Sequence, residues 1–317
     1  MVVLGHQFIH PFRLPPPAPS SSRISKTKHN SMIITSSSSP METPQTNHPK
    51  FMDFPHLSIS NKNLMVDLVS NMENTLSPDL LPSSLPPEVQ YFQNSSATSQ
   101  GTLHIRSGTN NSLVDCILGS WIHCGLPNGG ALDISTLTAY LNSKTDAPRF
   151  LIEFLQNSPN SLILILDLPP RKDLVTSPEY LQTFYQETHL DEFRKKLLEL
   201  SEIRPYISSS LYIRALSSPT AISVTIDCES GGAVRLEEII QDHVGPIAKD
   251  MLEVWLNQCV RIERGVDESE KVELKQRDVL IKKKTVEMDL ASSLPRLFGQ
   301  DVADLVIKAI EKAFDIL

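Results

Sequence analysis

RFLIEFLQNSPNSLILILDLPPRKDLV, residues Arg149 to Val175, is the stretch on which the fold turns. It reads as two adjacent β-strands joined by an Asn/Ser/Pro turn. Side chains alternate along a strand, so Phe150, Ile152 and Phe154 share one face and Leu151, Glu153 and Leu155 the other. Both faces are apolar except at Glu153. A strand hydrophobic on both sides belongs in the middle of a sheet covered by helices, where an ionised carboxylate is costly and tends to keep its proton. Glu153 is therefore either a proton donor or one half of a buried ion pair, with Arg106 and Arg214 the available cations within strand-like segments.

Working outward, the preceding chain carries further strand signals. Leu103 to Arg106 alternates. Leu113 to Cys124 is longer, with Val114, Cys116, Leu118 and Ile122 on one face and Ile117, Trp121 and His123 on the other. Asn128-Gly129-Gly130 turns the chain into a strand over Ala131 to Leu141, and the residues from Thr145 to Pro148 turn it into the opening pair. Connections this short favour antiparallel neighbours, which predicts a β-meander of about five strands.

Helical signals flank it. Ser60 is the expected cap of a helix with the stripe Leu64, Leu68 and Met72, ending by Ser77-Pro78, and irregular chain runs from there to Gln100. After Pro169-Pro170, Ser177 and Pro178 start a helical segment, and Leu190, Phe193 and Leu197 mark another. Two strands, Ser210 to Leu216 and Ile222 to Cys228, are expected to return to the sheet. The remainder reads as helix, broken at Gly245-Pro246, with a charged helix from Asp267 to Leu290 and a last one from Pro295 to Ile316. Strands first and helices grouped at both ends indicate an α+β fold layered as an α/β/α sandwich around a mainly antiparallel sheet.

Composition narrows the function. No apolar run among the 317 residues reaches the length of a membrane helix. The four cysteines, Cys116, Cys124, Cys228 and Cys259, have no metal-site spacing, and no glycine-rich phosphate loop is present. The first 41 residues hold Arg13, Arg23, Lys26 and Lys28, many serines and no acid before Glu42, the composition of a plastid transit peptide. Their removal takes the net charge from -8 to about -12, which disfavours nucleic acid as a partner. Residues 1–48 are thus expected to be transit peptide and disordered linker, and residues 49–317 a single domain.

Asp289 is the second carboxylate of interest. It follows Val286 by three residues, at the edge of a buried stripe, in what reads as the last turn of its helix. The macrodipole disfavours an acid there, so local physics supplies no reason for it. The alternative is an exposed residue paired with Lys282 to Lys284. Trp121 and His123 are either pocket lining or core. Asp167 reads as a cap on the turn that follows it. The basic clusters Arg171-Lys172, Arg194 to Lys196 and Lys282 to Lys284 read as solvated faces that could steer an acidic partner.

Several of these residues sit in longer motifs. LHIRSG (Leu103 to Gly108), GSWIHC (Gly119 to Cys124), LILDLPPRKDLV (Leu164 to Val175), LEVWL (Leu252 to Leu256) and LPRLFG (Leu294 to Gly299) resemble the red chlorophyll catabolite reductases of plant chlorophyll breakdown. FMDFP (Phe51 to Pro55) and NLMVDL (Asn63 to Leu68) extend the likeness, which is collinear from Phe51 to Leu317. It implies kinship with the ferredoxin-dependent bilin reductases. It further implies reduction of red chlorophyll catabolite to primary fluorescent chlorophyll catabolite, with reduced ferredoxin as external electron donor and no bound metal or flavin. The family's two functional carboxylates fall on Glu153 and Asp289, and a pocket position bearing on product stereochemistry falls on Ser217. The implied location is the chloroplast stroma, with the mitochondrion as a second site. Pheophorbide a oxygenase and a second copy of the chain, as a homodimer, are further implied partners. Two other readings fit the residues alone: a non-catalytic tetrapyrrole carrier, and a two-carboxylate hydrolase.

Overall fold

The computed structural model describes residues 48–126, 129–262 and 265–317. The expected leader, up to Asn47, lies outside the described residues, as does Asn128 of the expected turn.

Eight strands form one antiparallel sheet: β1 (Tyr91–Gln93), β2 (Ser99–Ser107), β3 (Val114–Gly125), β4 (Ala131–Leu141), β5 (Phe150–Ser158), β6 (Ser161–Asp167), β7 (Ile203–Pro205) and β8 (Ile222–Asp227). Their order is β1-β2-β3-β4-β5-β6-β8-β7, so β2 to β6 are the expected five-strand meander and β5 lies inside it. Two short strands were not legible. β1 falls in the stretch expected to be irregular, and β7 adds an edge beyond β8.

Helices cover both faces. On the first, α1 (Ile59–Leu76) lays Leu64, Leu68 and Met72 against Phe150, Ile152 and Phe154 as part of one core. Its cap is Ser58 rather than Ser60; the Ser58 hydroxyl accepts a bond from the Asn61 backbone N–H at 3.4 Å. The helix α2 (Leu190–Leu198) and the pair α4 (Gly232–Ile239) and α5 (Gly245–Val254) complete this layer. The expected break at Gly245-Pro246 is absent. A π-helical turn over Ile240–Val244 widens the coil there, with Gly245 N–H bonded to the Ile240 carbonyl, and so accommodates the proline ring without a kink.

On the second face lie α6 (Glu268–Thr285), α7 (Ala291–Phe298) and α8 (Gln300–Ala313). Val286, Leu290, Leu294, Phe298, Val306 and Ile310 pack there on Leu118, Ile134, Leu151 and Leu155. The charged helix does not stop at Leu290: a π-helical turn, Val286–Leu290, carries it into α7, and the break comes at Gly299, whose φ of 83° suits glycine. Arg171, read as solvated, is buried. Its guanidinium grips Asp278 of α6 at 2.5 to 3.2 Å and the Thr145 carbonyl at 2.6 Å, which locks the loop after β6 to this layer.

Two further expectations are corrected. Leu211–Leu216 is a helix, α3, capped by Ser210, whose hydroxyl accepts from the Ile213 N–H at 3.3 Å. The sheet has no place for a strand there, because β6 and β7 flank β8. Val114 also packs with Ile117 rather than Cys116, because a bulge between Val114 and Cys116 shifts the alternation by one residue.

Candidate active site

The second face of the sheet carries a polar row. Cross-strand register aligns Ser120, Thr136, Glu153, Ile165 and Ser223, and three of these, Ser120, Thr136 and Glu153, are buried polar residues. Glu153 is 1% exposed, and the Thr136 hydroxyl donates to its Oε2 at 3.1 Å. Thr138 and Asp167 stand in the next row, on either side of Leu151.

Above these rows lies a cavity of about 40 Å³, lined by residues that include Thr138, Tyr140, Arg149, Leu151, Asp167 and Ser217. Leu151 and Ile165, the near neighbours of Glu153 in strand and register, form part of its floor. Thr285, Leu290 and Phe314 close it from the helices, and Ile213 and Leu216 of α3 cover it. A second, smaller cavity shares Ile213, Leu216 and Thr285 with the first and is lined by Asp289. Asp289 reaches the smaller cavity from the helices, whereas Glu153 lies in the sheet beside the floor residues Leu151 and Ile165 and lines neither cavity.

Asp289 is buried and sits inside the π-helical turn between α6 and α7, not at a helix end. The macrodipole argument therefore does not apply to it. The wide turn instead marks a local departure from regular helix of a kind often found at functional positions.

Ser217 ends α3 at the cavity wall, its hydroxyl donating to the Ile213 carbonyl at 3.0 Å. Trp121 and His123 are not in this site. They point to the first face, where the Trp121 indole N–H donates to the Phe51 carbonyl at 3.0 Å and His123 bonds Asp133 at 2.7 Å. Arg106 pairs with Glu73 at 3.3 Å, and Arg214 is exposed on α3.

The site also contains groups that sequence reasoning missed or misread. Beyond a bond from the Leu168 N–H that follows it, Asp167 accepts from the Ser218 N–H at 2.9 Å and the Ser218 hydroxyl at 2.5 Å, tying the end of α3 to the sheet. Burial pushes its carboxyl up from an ordinary value near 3.8 to about 6, against the pull of those bonds. Arg149 is 7% exposed, with its guanidinium 5.5 Å from the Tyr140 ring centre. Strand alternation carried a signal for Asp167, because it lies two residues from Ile165, the partner of Glu153. Arg149, two residues before Leu151, continues the same alternation just outside the strand.

A buried acid on a polar row of the sheet, a second buried acid on the covering helices and a cavity wall that is otherwise largely apolar suit proton transfer to a large apolar ligand. Comparisons with known proteins identify the family. A profile of the family described as red chlorophyll catabolite reductase (RCC reductase) matches residues 60–312. A chloroplastic red chlorophyll catabolite reductase of Arabidopsis thaliana is 49% identical over 271 residues, 84% of this chain and 84% of that protein. Another chloroplastic relative, from Oryza sativa subsp. japonica, is 42% identical over 262 residues, 82% of this chain and 79% of that one. The Hordeum vulgare enzyme is 44% identical over 203 residues, 64% of this chain and 98% of that one. Among solved structures, tomato phytochromobilin synthase in complex with biliverdin superposes with a TM-score of 0.61 at 18% identity, over 80% of this chain and 82% of that one, a likeness of fold. With 49% identity to a relative matched over most of its length, and a profile match across most of the chain, this protein belongs to the red chlorophyll catabolite reductase family.

Proposed function

We propose that this chain reduces red chlorophyll catabolite to primary fluorescent chlorophyll catabolite, with Glu153 and Asp289 handling the protons and reduced ferredoxin supplying electrons one at a time. The observation that carries the reading is the buried Glu153 on a polar row, with a second buried acid, Asp289, lining a cavity on the helices that cover the same face, in a chain of this family. Two single electrons and two protons saturate one methine bridge. Each electron makes the bilin more basic, so an acid held beside it in a site that excludes water can deliver a proton as charge develops. The electrons come from outside and the chain supplies no redox group of its own, so its contribution is binding, orientation and proton delivery.

A cavity of about 40 Å³ is far too small for an open-chain tetrapyrrole. Binding therefore requires the cover to move, and α3 with its preceding loop is the element whose displacement opens both cavities at once. Ile207 and Leu211 there are each 73% exposed, apolar side chains with little to hold them to the body of the protein. Ser217, where α3 ends, is then a wall residue placed to influence which face of the bilin is protonated.

The same reading places residues 49–317 as one bilin-reductase-like domain behind a transit segment, working in the chloroplast stroma, with the mitochondrion as a second location. A chloroplast location accords with the names of the Arabidopsis and rice relatives. Ferredoxin is the electron partner, while pheophorbide a oxygenase and a second copy of this chain are further candidates. The test is an anaerobic assay with a ferredoxin-reducing system and red chlorophyll catabolite. A blue-fluorescent product that depends on ferredoxin supports the reductase. Binding without conversion would identify a carrier and overturn it.

A further inference from the structure

His56, His123 and Asp133 meet on the first face of the sheet, away from Glu153. His123 on β3 and Asp133 on β4 are direct cross-strand partners, so both side chains rise from the same face. His56 arrives from the loop that precedes α1. That loop is seated on the sheet: Phe51 lies over Gly119, where a Cβ would come within 2.3 Å of its ring, and the Trp121 indole holds the Phe51 carbonyl.

The three side chains are already close. The His56 and His123 rings stack with centres 3.8 Å apart and planes 14° from parallel, and His123 Nδ1 lies 2.7 Å from Asp133 Oδ1. One ligand atom from each of the three lies within 4.8 Å of the others. Gln100, opposite His123 on β2, hydrogen-bonds His56 and so fixes its ring from outside the cluster.

We infer that His56, His123 and Asp133 form a binding site for a divalent transition metal of the zinc class, one that staples the N-terminal loop to the sheet. Two imidazole nitrogens and a carboxylate oxygen are a ligand set such ions take at about 2.0 to 2.2 Å, which sets the donors roughly 3.3 Å apart in a tetrahedral arrangement. The stacked rings hold their in-plane lone pairs nearly parallel, so metal binding requires His56, carried on its loop, to swing out of the stack until the two nitrogens converge on the ion. The proton between His123 and Asp133 sits where the cation would go, so binding releases it rather than requiring a new cavity. The fourth position faces solvent and takes water. The site is on the opposite side of the sheet from the cavities, so its role is to hold the loop and α1 in place.

The test uses the tag-free chain after chelator treatment, titrated with Zn²⁺ by calorimetry and with Co²⁺ by visible absorbance. One equivalent of each is expected to bind, with the ligand-field bands of four-coordinate Co²⁺, and saturating Zn²⁺ should raise the unfolding midpoint by roughly 5 °C. His56→Ala and the shape-conserving His56→Gln should each weaken binding at least roughly tenfold and abolish the midpoint shift. Absence of binding to the unaltered chain at tenfold molar excess of Zn²⁺ would overturn the inference, as would equal binding by chain and variants.

Discussion

The two faces of the central sheet are built from the same strands, residue by residue in alternation, yet they differ in kind. The first buries Ile117, Leu137, Phe150, Ile152, Phe154, Leu164 and Leu166 under α1 and the α4–α5 helix with Trp255 among them, and its buried polar residues in the sheet, Thr102 and Ser135, are small and uncharged. The second interrupts its apolar residues with Thr136, Thr138, Glu153 and Asp167, all buried. Placing polar groups in a protein interior costs free energy unless each is hydrogen-bonded, and an apolar residue at Glu153 would pack there without that cost. The contrast teaches a division of labour: one face holds the fold together, and the other gives up some stability to keep acids and hydroxyls beside a cavity. Proteins break the rules of core composition mainly where function requires it.

Substitutions on the two faces should separate these roles. Trp255→Ala on the first face removes a fully buried indole and its bond to the Pro148 carbonyl at 3.0 Å. It should cost about 3 to 5 kcal/mol in denaturant unfolding while leaving turnover per folded molecule unchanged. A loss of turnover in the folded fraction would break the comparison. On the second face, Asp167 makes stability depend on pH. Its folded carboxyl titrates near 6 and its unfolded one near 3.8, so between about pH 4 and 6 the folded state retains a proton that the unfolded state releases. Its contribution to stability therefore falls as pH rises through that window, by on the order of 3 kcal/mol, and stays low above it. Asp167→Asn should flatten this slope in unfolding midpoints measured from pH 4 to 7; coincident slopes would show that another group is responsible. The smallest effect is expected at Ser217, where Ser217→Val at the cavity wall should change the ratio of product epimers on chiral analysis, with a stability change within about 1 kcal/mol.

Much of this contrast was legible in the residues. The alternation from Phe150 to Leu155 assigns each side chain to its observed face and isolates Glu153, because period-2 patterning survives wherever a strand pairs regularly. It fails where pairing is irregular: the bulge before Cys116 moved Val114 to the opposite face. It also assigned Leu211–Leu216 to a strand, because LYIRAL alternates well enough, although the cap at Ser210 and the position of β8 decide for helix. Trp121 and His123 were rightly placed in a strand and on one face, but which face meets the cavity is a property of the whole sheet. Asp289 reads as the edge of a buried stripe, with an exposed helix-end residue as the alternative; it is buried, and its setting inside a π-helical turn has no signature at helical period. Alternation puts Asp167 on the face of Glu153, but its partner Ser218 lies 51 residues further on, and no local pattern announces that contact.

The most direct test of the central claim is Glu153→Gln, which keeps the shape of the side chain and an oxygen to accept the Thr136 hydroxyl while removing the transferable proton. Bilin binding by the variant, followed by absorbance, should match that of the unaltered chain, and anaerobic reduction with ferredoxin should fall by about 10² to 10⁴-fold. Unchanged turnover with unchanged binding would contradict the account and take Glu153 out of the proton path.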